Sequence, residues 1–255
     1  MRLYLLQLGL LPSFGDVAIP GYLIQTDDGV NVLIDTGYPR GILDAQEQAA
    51  ERLTAAFPQD EIIAFNAKVI RGVRNAPEDL VANRLAELGL TPDDIDYLVC
   101  THFDIDHAGN HDLFPNTEFV VQRGHYLAAH NHPRFCFFDI PWSASGLCYR
   151  LVDGDSELLP GIELIETSGH VPGHQSVLVR LRETGPVLLA ADAITGRTQL
   201  EPHARTILQD MNTNEKRASV RKLNTLVERE GVQLIVFGHD PEQWRTLKKS
   251  PEFYA

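Results

Sequence analysis

The stretch Thr101-His102-Phe103-Asp104-Ile105-Asp106-His107-Ala108-Gly109-Asn110 is what most limits the folds open to this chain. Two imidazoles and two carboxylates fall within six residues, directly after the apolar run Tyr97-Leu98-Val99-Cys100. A buried strand ending in a short polar loop of this kind fixes those side chains at the rim of a sheet. Imidazole and carboxylate are ligands that first-row divalent cations prefer, so the loop reads as half of a metal site. Taken alone, it also reads as a polar turn with helix-capping aspartates. The rest of the chain decides between the two.

A chain of 255 residues is long enough for one large core, and 44% hydrophobic with 22% charged residues is ordinary globular material. The formal charge of −13, with no basic stripe against it, excludes a nucleic-acid surface. Cys100, Cys136 and Cys148 are odd in number and lack CxxC spacing, so neither a disulfide framework nor a thiolate zinc site is expected. Reduced thiols in a cytoplasmic protein are the simplest reading. The N-terminal apolar stretch is interrupted by Gln7 and followed by Pro12, with no small-x-small cleavage site, so a first strand is expected there rather than a signal peptide. No apolar run is long enough to cross a bilayer.

In chain order, strands are expected at Leu3 to Leu10, Gly21 to Thr26 and Val30 to Ile34, the last two joined by the Asp27-Asp28-Gly29 turn. Residues 41 to 57 suit one helix stopped by Pro58; Pro58 to Ala76 reads as an irregular excursion over the site; Pro77 to Leu88 reads as a helix. A strand at Glu118 to Val121 and a short helix at Gly124 to His130 precede residues 131 to 148, a long aromatic loop. That loop lines a pocket or packs into the core. Further strands are expected at 149–152, 162–166, 176–181, 186–191 and 234–237, with the best helix of the chain at Asn212 to Glu230. The strand-helix order recurs loosely in the two halves. It predicts an α/β fold, a four-layer αββα sandwich formed as one domain over residues 1–255.

Three later points match the first loop. His170 stands in Ser168-Gly169-His170-Val171-Pro172-Gly173-His174, just after a strand; Asp192 follows Val187 to Ala191; His239 follows Leu234 to Phe237. Each is the first strong ligand residue after a buried strand, where an α/β sheet displays its functional groups. Four such strand ends are hard to explain as capping.

The order HxDxDH, GHxPGH, Asp after a strand, and GH near the C-terminus resembles the metallo-β-lactamase superfamily, and within it the N-acyl homoserine lactonases. Asp35-Thr36-Gly37, His102 to Asn110, Val120 to Arg123, Gly169 to Ser176 and Phe237 to Asp240 carry the resemblance over nearly the whole chain. It implies two divalent metal ions, zinc in the first place. His102, Asp104 and His170 would hold one; Asp106, His107 and His239 would hold the other; Asp192 would bridge them opposite a shared hydroxide. Two cations acidify a shared water, polarise a carbonyl and neutralise a departing alkoxide. Asp106 and Asp192 would be the catalytic carboxylates, Asp106 relaying a proton to the leaving group.

Two positions depart from the family pattern. Its HxHxDH has Asp104 at the middle histidine, a harder ligand that admits iron or manganese. Some oxidoreductase relatives carry Glu there, which keeps an iron-dependent oxidoreductase of the same fold open as an alternative. Three residues beyond Asp192, homoserine lactonases typically place a Tyr whose hydroxyl helps hold the lactone carbonyl; this chain has Thr195, too short to reach the same point. A different ester or thioester is therefore a further alternative.

Asp35 and Asp240 read either as partners of metal-bound imidazoles or as loop caps, and His174 as support for the metal shell or for a turn. His111, His125, His130, His132 and His203 have no place in the ligand set and read as surface or packing residues. No serine nucleophile elbow or phosphate-cradling glycine loop is present. The expected protein is a metal-dependent hydrolase of a small-molecule lactone or ester, with no nucleic-acid or membrane partner. Residues 41 to 76 are a possible homodimer surface.

Overall fold

The structure is a computed structural model that describes residues 1–138, 141–201 and 206–255. His203 lies outside the described residues. Six strands form the first sheet in the order β1 (Arg2–Leu11), β2 (Val17–Gln25), β3 (Asn31–Ile34), β4 (Tyr97–Val99), β5 (Glu118–Gln122), β6 (Cys148–Val152). β1, β2 and β3 pair antiparallel, and β3 to β6 run parallel. The second sheet has the order β11 (Leu234–Phe237), β10 (Gly185–Ala191), β9 (Gln175–Leu181), β8 (Ile162–Glu166), β7 (Ser156–Leu159).

The layers follow from the two-residue period of the strands. In β1, Leu3 and Leu5 face inward to meet Ile162, Val177, Val187 and Val236 of the second sheet. Tyr4, Leu6 and Leu8 face outward onto helices α1 (Arg40–Leu43), α2 (Gln46–Ala56), α3 (Glu61–Gly72) and α4 (Val81–Glu87), burying Ile42, Leu53, Ile63, Ile70 and Leu85. The outer face of the second sheet is covered by α7 (Thr213–Glu230), whose Val220, Leu223 and Leu226 meet Leu178, Leu188 and Ala190. This is the expected αββα sandwich. The helices α5 (Arg123–Ala129) and α6 (Pro133–Cys136) connect β5 to β6, and α8 (Pro241–Thr246) follows β11.

Several local expectations need correction. Residues 41 to 57 form two helices, because Ala45 takes φ −139° and ψ 41° between them. The supposed irregular excursion contains α3: Asp60 accepts from the amides of Ile62 (2.9 Å) and Ile63 (3.1 Å), and Ile63, Ala67 and Ile70 bury one face. Within 77–88 the chain breaks at Leu80, in extended geometry, between a short 3-10 turn and α4. β7 and α8 were not anticipated. In the aromatic segment 131 to 148, Phe135 and Trp142 are core residues; Trp142 stacks on Phe103 with ring centroids 4.3 Å apart.

The first sheet's β3 and β4 and the second sheet's β8, β10 and β11 end at one common edge. Ile34 pairs with Val99 in parallel, so Asp35 comes beside the start of the 101–110 loop. Gln175 locks the sheets together there. Its amide nitrogen donates to the Thr101 carbonyl (3.1 Å), and its side chain donates to the carbonyls of Cys100 (2.8 Å) and Val120 (3.1 Å).

Candidate metal centre

The 101–110 loop is clamped to the turn after β3. Thr36 donates its amide to the His107 carbonyl (2.7 Å), Gly109 donates to the Gly37 carbonyl (2.9 Å), and Asn110 Nδ2 donates to the carbonyls of Thr36 (2.7 Å) and Tyr38 (2.9 Å). Asp35, at φ 58°, accepts from the Thr101 amide (2.9 Å) and hydroxyl (2.7 Å).

Four imidazoles converge with the same orientation. His107 gives Nδ1–H to Asp35 (2.8 Å), His102 to Thr101 Oγ1 (3.0 Å), His170 to Asp210 Oδ1 (2.9 Å) and His239 to the Ala18 carbonyl (3.0 Å). Each ring thereby keeps its Nε2 lone pair for the interior, the arrangement a metal-binding histidine needs. His102, His107 and His170 are buried, and so is Asp192.

The seven sequence-predicted residues are brought together. His102, Asp104 and His170 form one group, Asp106, His107 and His239 another, and Asp192 lies with His102 and His107; within each group the ligand atoms are all within 4.8 Å of one another. His102 Nε2 and His170 Nε2 lie 3.2 and 3.1 Å from Asp104 Oδ2, and His170 Nε2 lies 3.3 Å from Asp192 Oδ2. In the other half, Asp192 Oδ1 is 3.1 Å from His239 Nε2 and 3.7 Å from His107 Nε2, while Asp106 Oδ2 is 3.8 Å from His239 Nε2 and 3.7 Å from His107 Nε2. Two ligands of a tetrahedral ion stand about 3.3 Å apart.

The electrostatics ask for a cation. Among the described residues, His102 Nε2, His107 Nε2 and Asp192 Oδ1 are buried polar atoms without a hydrogen-bond partner. Burial opposes a charge on His107, but Asp106, Asp35 and Asp192 outweigh it and push its pKa up to about 10. Against the same burial, Asp192 and Asp106 carry His239 to about 9. A set of buried carboxylates that draws protons this strongly onto imidazoles also draws a divalent ion, which displaces those protons. The residues therefore fit a metal centre.

His174 and Asp35 support the centre, and Asp240 does not. His174 is held by Thr167 Oγ1 (2.8 Å) and accepts the Asp192 amide on Nε2 (3.2 Å), which sets the Asp192 backbone. Asp240 caps α8 through the Gln243 amide (2.9 Å) and accepts from the Arg197 amide (3.0 Å). His125 is a packing residue, accepting the Phe103 amide (2.7 Å) and donating to the Pro172 carbonyl (2.8 Å). Thr195 donates its hydroxyl to Gln199 Oε1 (3.0 Å).

Sequence reasoning missed four residues at this site. Asp210 and Lys216 form a buried pair (3.0 Å) behind His170, and Tyr38 lines the cavity above the centre. Burial, with Asp106, Asp104 and Asp192 nearby, pushes the Tyr38 phenol well above its usual range, so it stays protonated. The fourth is Arg134 of α6, which donates Nε–H to Asp104 Oδ1 (2.6 Å) and Nη2–H to Asp104 Oδ2. Burial would raise Asp104, yet Arg134 and His102 hold its carboxyl well below the usual range. Nothing in the spacing singled out Arg134.

A cavity of about 250 Å³ opens over the centre, with Asp106, Asp192 and His239 at its floor and Leu11, Phe65 and Val69 along its wall.

Residues 15–239 match the family model of the metallo-beta-lactamase superfamily, and the chain belongs to that superfamily. It is a metal-dependent hydrolase with a centre for divalent metal ions. Among curated proteins it is similar to an N-acyl homoserine lactonase of Bacillus sp, 31% identical over 93% of this chain and 87% of that one. It is also 31% identical to the N-acyl homoserine lactonase AiiA of Bacillus thuringiensis subsp. kurstaki, over 91% of this chain and 85% of that one. Among solved structures, an N-acyl homoserine lactone hydrolase with the product N-hexanoyl-L-homoserine bound at the catalytic metal center superposes with a TM-score of 0.82 at 27% identity, covering 99% and 98% of the two chains. These relatives favour the hydrolase over the oxidoreductase alternative.

Proposed function

We propose that this protein opens the ring of an N-acyl homoserine lactone or a closely similar ester. In this reading His102, Asp104 and His170 hold one divalent ion, Asp106, His107 and His239 hold the other, and Asp192 serves both. The observation that carries it is the set of buried, unpartnered ligand atoms on His102, His107 and Asp192 beneath a cavity with an apolar wall.

A divalent ion held there supplies an acidified water and a Lewis acid for the ester carbonyl. The chain's own groups do the rest. Leu11, Phe14, Phe65, Val69 and Ile70 receive an acyl chain and exclude water from it. Asp106 opens onto the cavity, where a carboxylate oxygen can relay a proton to the departing alkoxide while the residue remains a ligand. The protonated Tyr38 phenol offers the cavity a donor in place of the hydroxyl that Thr195 spends on Gln199. Zinc is the proposed ion, and the Asp104 carboxylate also admits iron or manganese.

Because both sheets contribute ligands, residues 1–255 are proposed to work as one domain. Free Cys136 and Cys148, both exposed, agree with a cytoplasmic location. No helix among the described residues is long and apolar enough to cross a membrane. Residues 41 to 76 are proposed as a homodimer surface.

The test is proton release on adding N-hexanoyl homoserine lactone, together with metal content, for the wild type and Asp192→Ala. Loss of both in the variant is expected. A variant that keeps its metal and its hydrolysis defeats the proposal.

A further inference from the structure

The middle position of the HxDxDH loop bears a carboxylate, and the structure shows what answers it. Arg134 is only 9% exposed in its side chain and its guanidinium enters the first half of the centre. Nε and Nη2 grip the two oxygens of Asp104, and Nη1 donates to the Gln209 carbonyl (2.5 Å). Nη2 also lies 3.0 Å from His170 Nε2. That nitrogen carries the inward lone pair, because His170 Nδ1–H is committed to Asp210 (2.9 Å). A guanidinium is protonated at any physiological pH. Two of the three donor atoms in this half, Asp104 Oδ2 and His170 Nε2, therefore already face a fixed positive charge.

The other half is different. His107 Nε2 and Asp192 Oδ1 are buried and unpartnered, as His102 Nε2 is in the first half, but no Lys or Arg among the described residues hydrogen-bonds to Asp106, His107 or His239. Arg134 already answers one of the negative charges that Asp104, Asp106, Asp192 and the buried Asp35 bring to the site, and Asp210 behind His170 is answered by Lys216 (3.0 Å). A second divalent ion would have to enter beside a guanidinium and take Asp104 and His170 from it, although the donor spacing of 3.1 to 3.2 Å in that half is suitable for an ion.

We infer that Arg134 is a resident cation of the first half-site, so that the centre binds one divalent ion tightly, through Asp106, His107, His239 and Asp192, and a second one weakly. The inference rests on the reading that these residues hold metal. Arg134 and Asp104 act as one unit: the pair is neutral overall, as an imidazole would be, but its guanidinium blocks part of the site.

The experiment is a titration of metal-free protein with Co²⁺ and with Zn²⁺, the first followed by absorption and the second by competition with a chromophoric chelator. In the wild type the second ion is expected to bind about 100-fold more weakly than the first. In Arg134→Met the second step should strengthen by about 10- to 100-fold while the first step stays put. Two ions of equal affinity in the wild type overturn the inference whether or not the variant folds. So does a folded Arg134→Met with an unchanged second step. Failure of both ions to bind tightly in either protein would instead remove the metal centre on which the inference rests.

Discussion

Asp35 Oδ2 accepts the Nδ1–H of His107 at 2.8 Å, with both residues about 1% exposed. The same carboxylate takes the amide and hydroxyl of Thr101, and to do so Asp35 adopts φ 58°. One left-handed residue at the end of β3 thus fixes both the ring that faces the metal and the first residue of the ligand loop.

Replacing Asp35 with Asn separates charge from shape. Asn tolerates left-handed backbone and still accepts a hydrogen bond, so the fold should hold while His107 loses the carboxylate that increases its basicity. Affinity for the tightly bound ion should fall by about 10- to 100-fold, measured by chelator competition. Asp35→Ala should add a stability loss of about 1–2 kcal/mol from the left-handed backbone. An Asn variant with wild-type affinity would show that Asp35 only shapes the turn.

Much of the centre was legible because its ligands follow buried strands at offsets of one to four residues: His102 after Val99, His170 after Glu166, Asp192 after Ala191, His239 after Phe237. The residues that modulate it were not. Arg134 reaches Asp104 from α6 across 30 positions of sequence, and Asp210 reaches His170 across 40. Such pairs exist only once the chain is folded, and no periodicity announces them. Helix α3 had its signal in Asp60 and the Ile63, Ala67, Ile70 stripe, but Pro58 drew attention to irregularity. Trp142 and Phe135 gave no sign of whether they met the pocket or the core; stacking on Phe103 decided for the core.

Gly109 is required for close approach of backbone to backbone. A Cβ there would lie 2.2 Å from the Pro39 nitrogen and 2.3 Å from the Gly37 oxygen, and neither can retreat without opening the clamp between the two loops. Gly109→Ala should destabilise the protein by about 3 kcal/mol in denaturant unfolding and release metal in parallel. Gly124, in α5, has nothing within 4 Å of its would-be Cβ. Gly124→Ala should be neutral or stabilising by roughly 0.5–1 kcal/mol. Equal costs at the two positions would contradict this account of the clamp.

Acid should weaken the fold through a histidine that binds no metal. His111 is fully buried; its Nδ1–H donates to the Tyr149 hydroxyl (3.0 Å), and that hydroxyl donates to the Trp142 carbonyl (2.8 Å). Burial pushes its pKa from 6.5 down to about 3. The folded ring is therefore neutral at pH values where the unfolded chain has already taken a proton. Between those two values the unfolded state binds more protons, so stability is complete above about 6.5 and is lost as pH falls towards about 3. His125, lowered to about 4 by burial, acts in the same direction. From about pH 7 to about pH 5 each ring should remove about 2 kcal/mol of stability. Urea unfolding of metal-free wild type and His111→Phe at both pH values checks this. The variant starts lower, having lost the bond to Tyr149, but its drop between the two pH values should be smaller by the share of one ring. An equal drop in both proteins would mean that burial does not lower the His111 pKa in the folded state.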